Sequence, residues 1–266
     1  MIKITSLQNP KVKEAVHLRE RRERDRTDLF LIEGYRELKR AVDAGRSVET
    51  LFFCPEFFLK ENERALIAQI QGEKIECSQD VFAKISYRDR PDGLLGIAKQ
   101  RHLTLQDLSL RAIPFLLIAE RIEKPGNLGT ILRSADAAGV DAVIVCDPTT
   151  DIHNPNVVRS SIGTLFTLPV IETSSEAALP FLKTHRIALV AATPQASIEF
   201  TQADLTVPLA IAVGTEQYGL TQHWMKEADL SLRIPMFGVA DSLNVASATT
   251  LLLYEVVRQR RNSLLR

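Results

Sequence analysis

Amides, hydroxyls, a guanidinium and a carboxylate follow directly on four apolar runs of this 266-residue chain. After "IPFLLIAE" comes "KPGNLGTILR", which carries Asn127 and Arg133. "IALVAAT" ends on Thr193 and continues as "PQAS". "PLAIAVG" ends on Gly214 and is followed by "TEQYGL", with Glu216. "LSLRIP", which contains Ile234, runs into "MFGVADSLNVASA", with Met236, Asp241, Ser242, Leu243 and Asn244. In α/β sheets, ligands bind beyond the carboxyl ends of parallel strands, so these groups are expected on one sheet edge. Glycines at such junctions admit something negatively charged or flat against the backbone.

Each stretch also has a plainer reading. Leu128, Ile131, Leu132, Ala135 and Ala138 make the buried stripe of a helix over 127–138, and Arg133 lies off it. Helical side chains lean toward the amino terminus, so Arg133 can pass over Gly129 toward the strand-end crevice. A surface arginine after an ordinary β–α turn would have the same spacing. Glu216 before Gly219 would also suit a tight turn. Asp241 and Ser242 are credible caps of a terminal helix over 242–261. Asn244 would then sit in its first turn, where an amide is costly to bury without a partner, which points to a ligand role. A dinucleotide reading stays open, because Asp147 ends the next strand about 20 residues on, where a ribose-binding acid sits. Against it, Leu132 stands where the fingerprint needs a third small residue.

The elements that must position these residues follow an alternating rhythm from residue 112. Strands "IPFLLIAE", "DAVIVCD", "LFTLPVI", "IALVAAT", "PLAIAVG" and "LSLRIP" interleave with helices over 127–138, 155–164, 175–184, "TQHWMKEA" and 242–261. That pattern predicts a mostly parallel sheet covered on both faces. Upstream, "DLFLIEGYRELKRAVDAG" reads as a strand and an amphipathic helix stopped at Gly45. "VETLFFCPEF", "ENERALIAQIQG", "KIECSQ" and "GLLGIAKQ" complete a small α/β unit. Composition shifts at "LTLQDLSLRAI", which sets the domains at 1–107 and 112–266. The terminal helix, "LNVASATTLLLYEVV", is apolar on nearly every side and asks for cover beyond one core face, such as a second subunit.

Charge and cysteine usage bound the class. The net charge is zero, so any nucleic-acid surface must be local. Residues 1–26 hold eight Lys or Arg against four acids, and the last eleven hold four Arg and no acid. Cys54, Cys77 and Cys146 are isolated, which argues against a disulfide framework and a structural metal site. No apolar run has membrane-spanning length and the start lacks a signal-peptide core, so a cytoplasmic protein is expected.

The motifs "NLGTILRSADA", "IAVGTEQYGL" and "IPMFGVADSLNVASA", in that order, resemble the SpoU (TrmH-like) family of RNA ribose 2′-O-methyltransferases in the SPOUT class. The amino-terminal part is similar to the small ribosomal-protein-like α/β domain that binds RNA in many members. The resemblance implies a deep trefoil knot and S-adenosylmethionine held around Thr193, Gly214, Glu216, Ile234, Met236, Leu243 and Asn244. It implies a catalytic pocket of Asn127, Arg133, Glu216, Ser242 and Asn244, with no metal. Glu216 would pair with Arg133 and hold its fork. It further implies a homodimer in which Arg159 reaches the partner's RNA site. Ribosomal RNA is the expected substrate and transfer RNA the second. A nicotinamide oxidoreductase and a non-catalytic RNA-binding protein are the competing readings.

Overall fold

The computed structural model describes residues 2–263 and forms two compact units. One holds the described residues up to Arg101 together with Asp151–Thr167, and the other holds His102–Thr150 and the described residues from Leu168 onward.

The first unit runs β1 (Ile2–Ile4), α1 (Pro10–His17), α2 (Arg21–Thr27), β2 (Leu29–Glu33), α3 (Tyr35–Asp43), β3 (Val48–Phe53), α4 (Asn62–Gln69), β4 (Glu73–Cys77), α5 (Gln79–Ile85) and β5 (Leu94–Lys99). Its sheet has the order β1-β4-β3-β5-β2, with β5 antiparallel to both neighbours. Leu31, Phe52, Ile75, Leu95 and Ile97 share one core with α1 and α5 through Val12, Val81 and Phe82. The basic stretch at 19–26 is only partly a solvated face. Arg24 is 1% exposed and bonds Asp151 through both Nε (3.2 Å) and Nη2 (2.7 Å). Its Nη1 donates to the carbonyls of Leu18 and Arg19.

The second unit begins with β6 (Phe115–Glu120), α6 (Pro125–Ala137) and β7 (Ala142–Cys146). After β7 the chain leaves it to form α7 (Pro155–Ser160), which packs on β2 of the first unit. It returns through β8 (Val170–Thr173), α8 (Ser175–Thr184), β9 (Ala188–Ala192), β10 (Ile198–Glu199), β11 (Leu209–Val213), α9 (Gln222–Glu227), β12 (Leu230–Arg233) and α10 (Val245–Ser263). The seven strands pair in the order β10-β12-β9-β11-β6-β7-β8, and all named pairings are parallel. Every residue of β6, β7 and β11 is buried, as strands covered on both faces require.

Three expectations differ from the fold. The compact units do not part at a single cut between 107 and 112, because 151–167 pack with the amino-terminal unit. Val157, Val158 and Phe166 are buried there, and the His153 and Phe166 rings pack on Phe30 at centroid distances of 4.7 and 6.1 Å. The apolar run "LFTLPVI" is not one strand. Thr164–Phe166 form a 3-10 turn and the strand starts at Val170. The terminal helix starts at Val245, three residues later than 242, with Asn244 just before it.

Two of the four carboxy-terminal arginines are also committed. Arg258 pairs with Glu255 at 2.7 Å. Arg260 donates to the carbonyls of Ile113, Pro114 and Val207 and stacks over Phe115 at 5.1 Å, tying α10 to the starts of two central strands. Arg266 lies outside the described residues.

Candidate active site

Glu120 closes β6 as a carboxylate only 1% exposed, and its Oε2 accepts a hydrogen bond from Thr221 N at 2.8 Å. That bond anchors the far end of a hairpin that begins at Gly214. Thr215 and Gly219 exchange backbone hydrogen bonds at 3.0 Å in both directions. Gly219 takes φ +67°, where a side chain would be strained. Gly214 is required for a different reason. A Cβ there would lie 2.2 Å from the Gly219 carbonyl and 2.4 Å from Leu220 N, so the group pressed against the bare glycine is the chain's own hairpin.

The hairpin presents Glu216 to the starts of two helices. Asn127, in the first turn of α6, donates from Nδ2 to Glu216 Oε1 at 2.8 Å. Asn244 donates from Nδ2 to the same oxygen at 2.6 Å and to Asn127 Oδ1 at 3.2 Å. Lys124, which caps α6, pairs with Oε2. The Lys124 ammonium foremost holds the Glu216 carboxyl below the usual carboxylate range; burial opposes it, and the Asn127 and Asn244 amides add to the lowering. The same bond raises the Lys124 pKa. Glu216 is therefore a carboxylate, and Lys124 an ammonium, at neutral pH.

Asn244 was expected inside the terminal helix, with no structural reason for its amide. It is instead the cap of α10, its Oδ1 accepting from Ala246 N at 3.0 Å and Ser247 N at 3.4 Å. The cap fixes the amide so that its NH₂ faces Glu216. Among the described residues Ser242 bonds only to its neighbour Asp241, at 3.2 Å, and neither serves as the cap.

Arg133 is on the exposed face of α6 and makes no hydrogen bond or ion pair among the described residues. Its expected pairing with Glu216 is replaced by Lys124, Asn127 and Asn244. Six residues separate Asn127 from Arg133, which is about 9 Å along the axis and roughly 240° around it. The amino terminus of the helix thus meets the hairpin, and Arg133 makes no bond to Glu216.

Beside the Glu216 cluster, the ends of β9, β11 and β12 enclose a cavity of about 670 Å³. Thr193, Gly214, Glu216, Ile234, Met236, Ser242 and Leu243 all line it. Asn244 does not, since its amide is engaged by Glu216 and the helix cap. The lining mixes apolar Leu232, Ile234, Leu243 and Leu252 with polar Thr193, Gln195 and Asp241, which suits a flat ring with hydroxyl and charged ends. Arg159 lies on α7 in the first unit, with an exposed side chain.

Sequence reading missed Lys124 and Glu120. The signal for Glu120 was an acid closing an otherwise apolar strand. Lys124 had none beyond its place before Pro125. Asp147 loses its reading as a ribose-binding acid, because its carboxylate accepts from Ser175 N at 3.2 Å and Ser175 Oγ at 2.5 Å, and Ser175 Oγ accepts from Trp224 Nε1 at 2.7 Å. Among the described residues no helix is long and apolar enough to cross a membrane.

Residues 9–96 match an MRM3-like substrate binding domain. A 23S rRNA (uridine(2479)-2′-O)-methyltransferase from Streptomyces viridochromogenes is 32% identical over 90% of this chain and 86% of its own. A solved RNA 2′-O ribose methyltransferase is 43% identical, with a TM-score of 0.88 over 98% of this chain and 100% of that one. An AdoMet-bound rRNA methyltransferase from Sinorhizobium meliloti is 33% identical, also with a TM-score of 0.88, over 96% and 97% of the two chains. Residues 114–254, which carry the gripped carboxylate and the cavity, match the SpoU rRNA Methylase family, and the chain belongs to it.

Proposed function

We propose that the chain is an S-adenosylmethionine-dependent methyltransferase acting on a ribose 2′-hydroxyl of ribosomal RNA. The observation that carries this is the Glu216 carboxylate, gripped by Asn127, Asn244 and Lys124 at the mouth of the strand-end cavity. S-adenosylmethionine supplies, when bound, a methyl group activated for in-line attack by an oxygen. Thr193, Ile234, Met236 and Leu243 would hold it, with Gly214 keeping the hairpin close to the strand end.

The chain's own residues would orient the ribose and manage its charge. Asn127 and Asn244 lock Glu216, whose lone pairs can take the hydrogen bond of the attacking hydroxyl. Arg133 holds the adjacent phosphate and stabilises negative charge growing on the ribose oxygen. A guanidinium stays protonated in proteins, so Arg133 acts as a charge and not as a base. Ser242 lines the cavity and contributes a hydroxyl close to the reacting groups. Proximity and in-line orientation supply much of the remaining rate.

The first unit is the RNA-binding part in this reading, with Arg159 as a phosphate or ribose contact. The enzyme works in the cytoplasm as a homodimer, for which the apolar residues still exposed on α10, Leu251 and Tyr254, offer support. The deep trefoil knot belongs to the same reading. It is supported by β9 lying between β12 and β11 while α10 returns against β11.

The test is transfer of a labelled methyl group from S-adenosylmethionine to unmodified ribosomal RNA, with mapping of the 2′-O-methylated nucleotide. One labelled ribose is the expected result. No transfer to ribosomal RNA, with calorimetric binding of NAD in place of S-adenosylmethionine, would overturn it.

A further inference from the structure

Glu216 has two oxygens in different situations. Oε1 accepts from Asn127 and Asn244, two short amides set by the starts of α6 and α10. Oε2 accepts from Lys124. The Lys124 side chain is 70% exposed, while the carboxylate it holds is only 28% exposed. A lysine carries a compact charge on a flexible stem and takes phosphate as readily as carboxylate. The amide bonds are built in, and the lysine bond is the one that can be exchanged.

We infer that Lys124 is a positioning residue that masks Glu216 until RNA arrives: a phosphate beside the target nucleotide draws the ammonium off Oε2, and the freed oxygen then accepts the hydrogen bond of the 2′-hydroxyl. This rests on the methyltransferase reading above. The exchange couples substrate engagement to exposure of the carboxylate. Without RNA, Oε2 is occupied by the Lys124 ammonium. With RNA, one cation has moved from a protein anion to a nucleic-acid anion, and the carboxylate it leaves is held by the two amides alone. Asn127 and Asn244 keep Glu216 in place throughout.

Lys124→Met tests this, since it keeps the stem and removes the charge at an exposed position. The full-length protein is assayed with an in-vitro transcript of large-subunit ribosomal RNA, with kcat and KM measured across a salt series. Masking predicts a KM for RNA raised severalfold and a kcat within about threefold of wild type, because Glu216 is then unmasked at all times. The slope of log KM against log salt should fall by roughly 0.7–0.9, the signature of one lost phosphate contact. A lysine that merely braces Glu216 gives the reverse: kcat down tenfold or more, with KM and salt slope unchanged. That result overturns the proposal, as does a variant identical to wild type. Calorimetric binding of S-adenosylmethionine reports on the fold of the variant independently of turnover. If the wild-type protein transfers no methyl group, the broader reading fails, and the salt slope of equilibrium RNA binding still decides the role of Lys124.

Discussion

Asn244 caps α10 through Oδ1 and, from the other end of the same amide, donates to Glu216 Oε1 at 2.6 Å. One planar group thus fixes where a helix begins and where a carboxylate on a different loop must stand. Turning the amide over would lose both sets of bonds together.

Asn244→Asp separates these two tasks. An aspartate can still cap the helix, so thermal stability should stay close to wild type. Its second oxygen would face the Glu216 carboxylate and repel it, and methyl transfer should fall by at least a hundredfold. Asn244→Ala should lose activity and, in addition, about 1 kcal/mol of stability with the cap. Denaturant melts alongside turnover measurements check both. An active Asn244→Asp enzyme would sink the assignment.

For Arg133→Ala, abolished transfer with cofactor affinity within a few fold of wild type is expected, because Arg133 is on α6 and is not among the residues that line the cavity. Mixing extends the experiment to Arg159. If Arg159 serves the partner's site, a purified heterodimer of Arg133→Ala and Arg159→Ala has one site with both arginines, and activity partly returns. A heterodimer without recovered activity refutes action in trans.

The parallel sheet could be read from the chain because its strands are apolar throughout and its helices keep a one-sided stripe. The strand ends followed, and with them Asn127, Glu216 and Asn244. The pairings among those residues could not be read. Sequence spacing places Arg133 and Glu216 at the same sheet edge, but the bond depends on which turn of α6 meets the hairpin. It is the first turn, which favours Lys124 and Asn127 over Arg133. The role of Asn244 was obscured for a similar reason, since Asp241, Ser242 and Asn244 are all good caps and only the path of the loop selects one. The passage of 151–167 into the first unit was hidden because a buried face does not name its partner.

Glu216 also sets a pH dependence. Its folded pKa is depressed, first by Lys124, so its contribution to stability is present above the ordinary carboxylate value of about 4.3 and is lost as pH falls through the depressed one. Carbon-13 titration of the Glu216 carboxyl in the RNA-free enzyme should show a midpoint below that ordinary value. In Lys124→Met the midpoint should move upward. Equal midpoints in the two proteins would remove Lys124 as the main cause.

Arg24 and Asp151 lie 127 residues apart and are bonded in the interior of the first unit. Removing one partner of a buried pair strands the other, at a typical cost of about 3–5 kcal/mol. Arg24→Met should destabilise the unit by that order, with the urea midpoint as the measure. The double variant Arg24→Met with Asp151→Leu should recover most of the loss. A single variant as stable as wild type would show that the pair contributes little.

The excursion of 151–167 bears on how such an enzyme can be altered by recombination. A recognition module written as one continuous stretch can be exchanged between genes by a single crossover. Here the compact unit that contains the substrate-binding match is written in two stretches, with the first three elements of the methylase unit between them. A hybrid that takes only residues 1–101 from a relative would inherit β2 without the α7 that evolved against it, and the surfaces of Val157, Val158 and Phe166 would meet a foreign sheet. New RNA targets are therefore more accessible through point changes on the module's surface than through wholesale grafting. A successful graft would have to carry both stretches from the same parent.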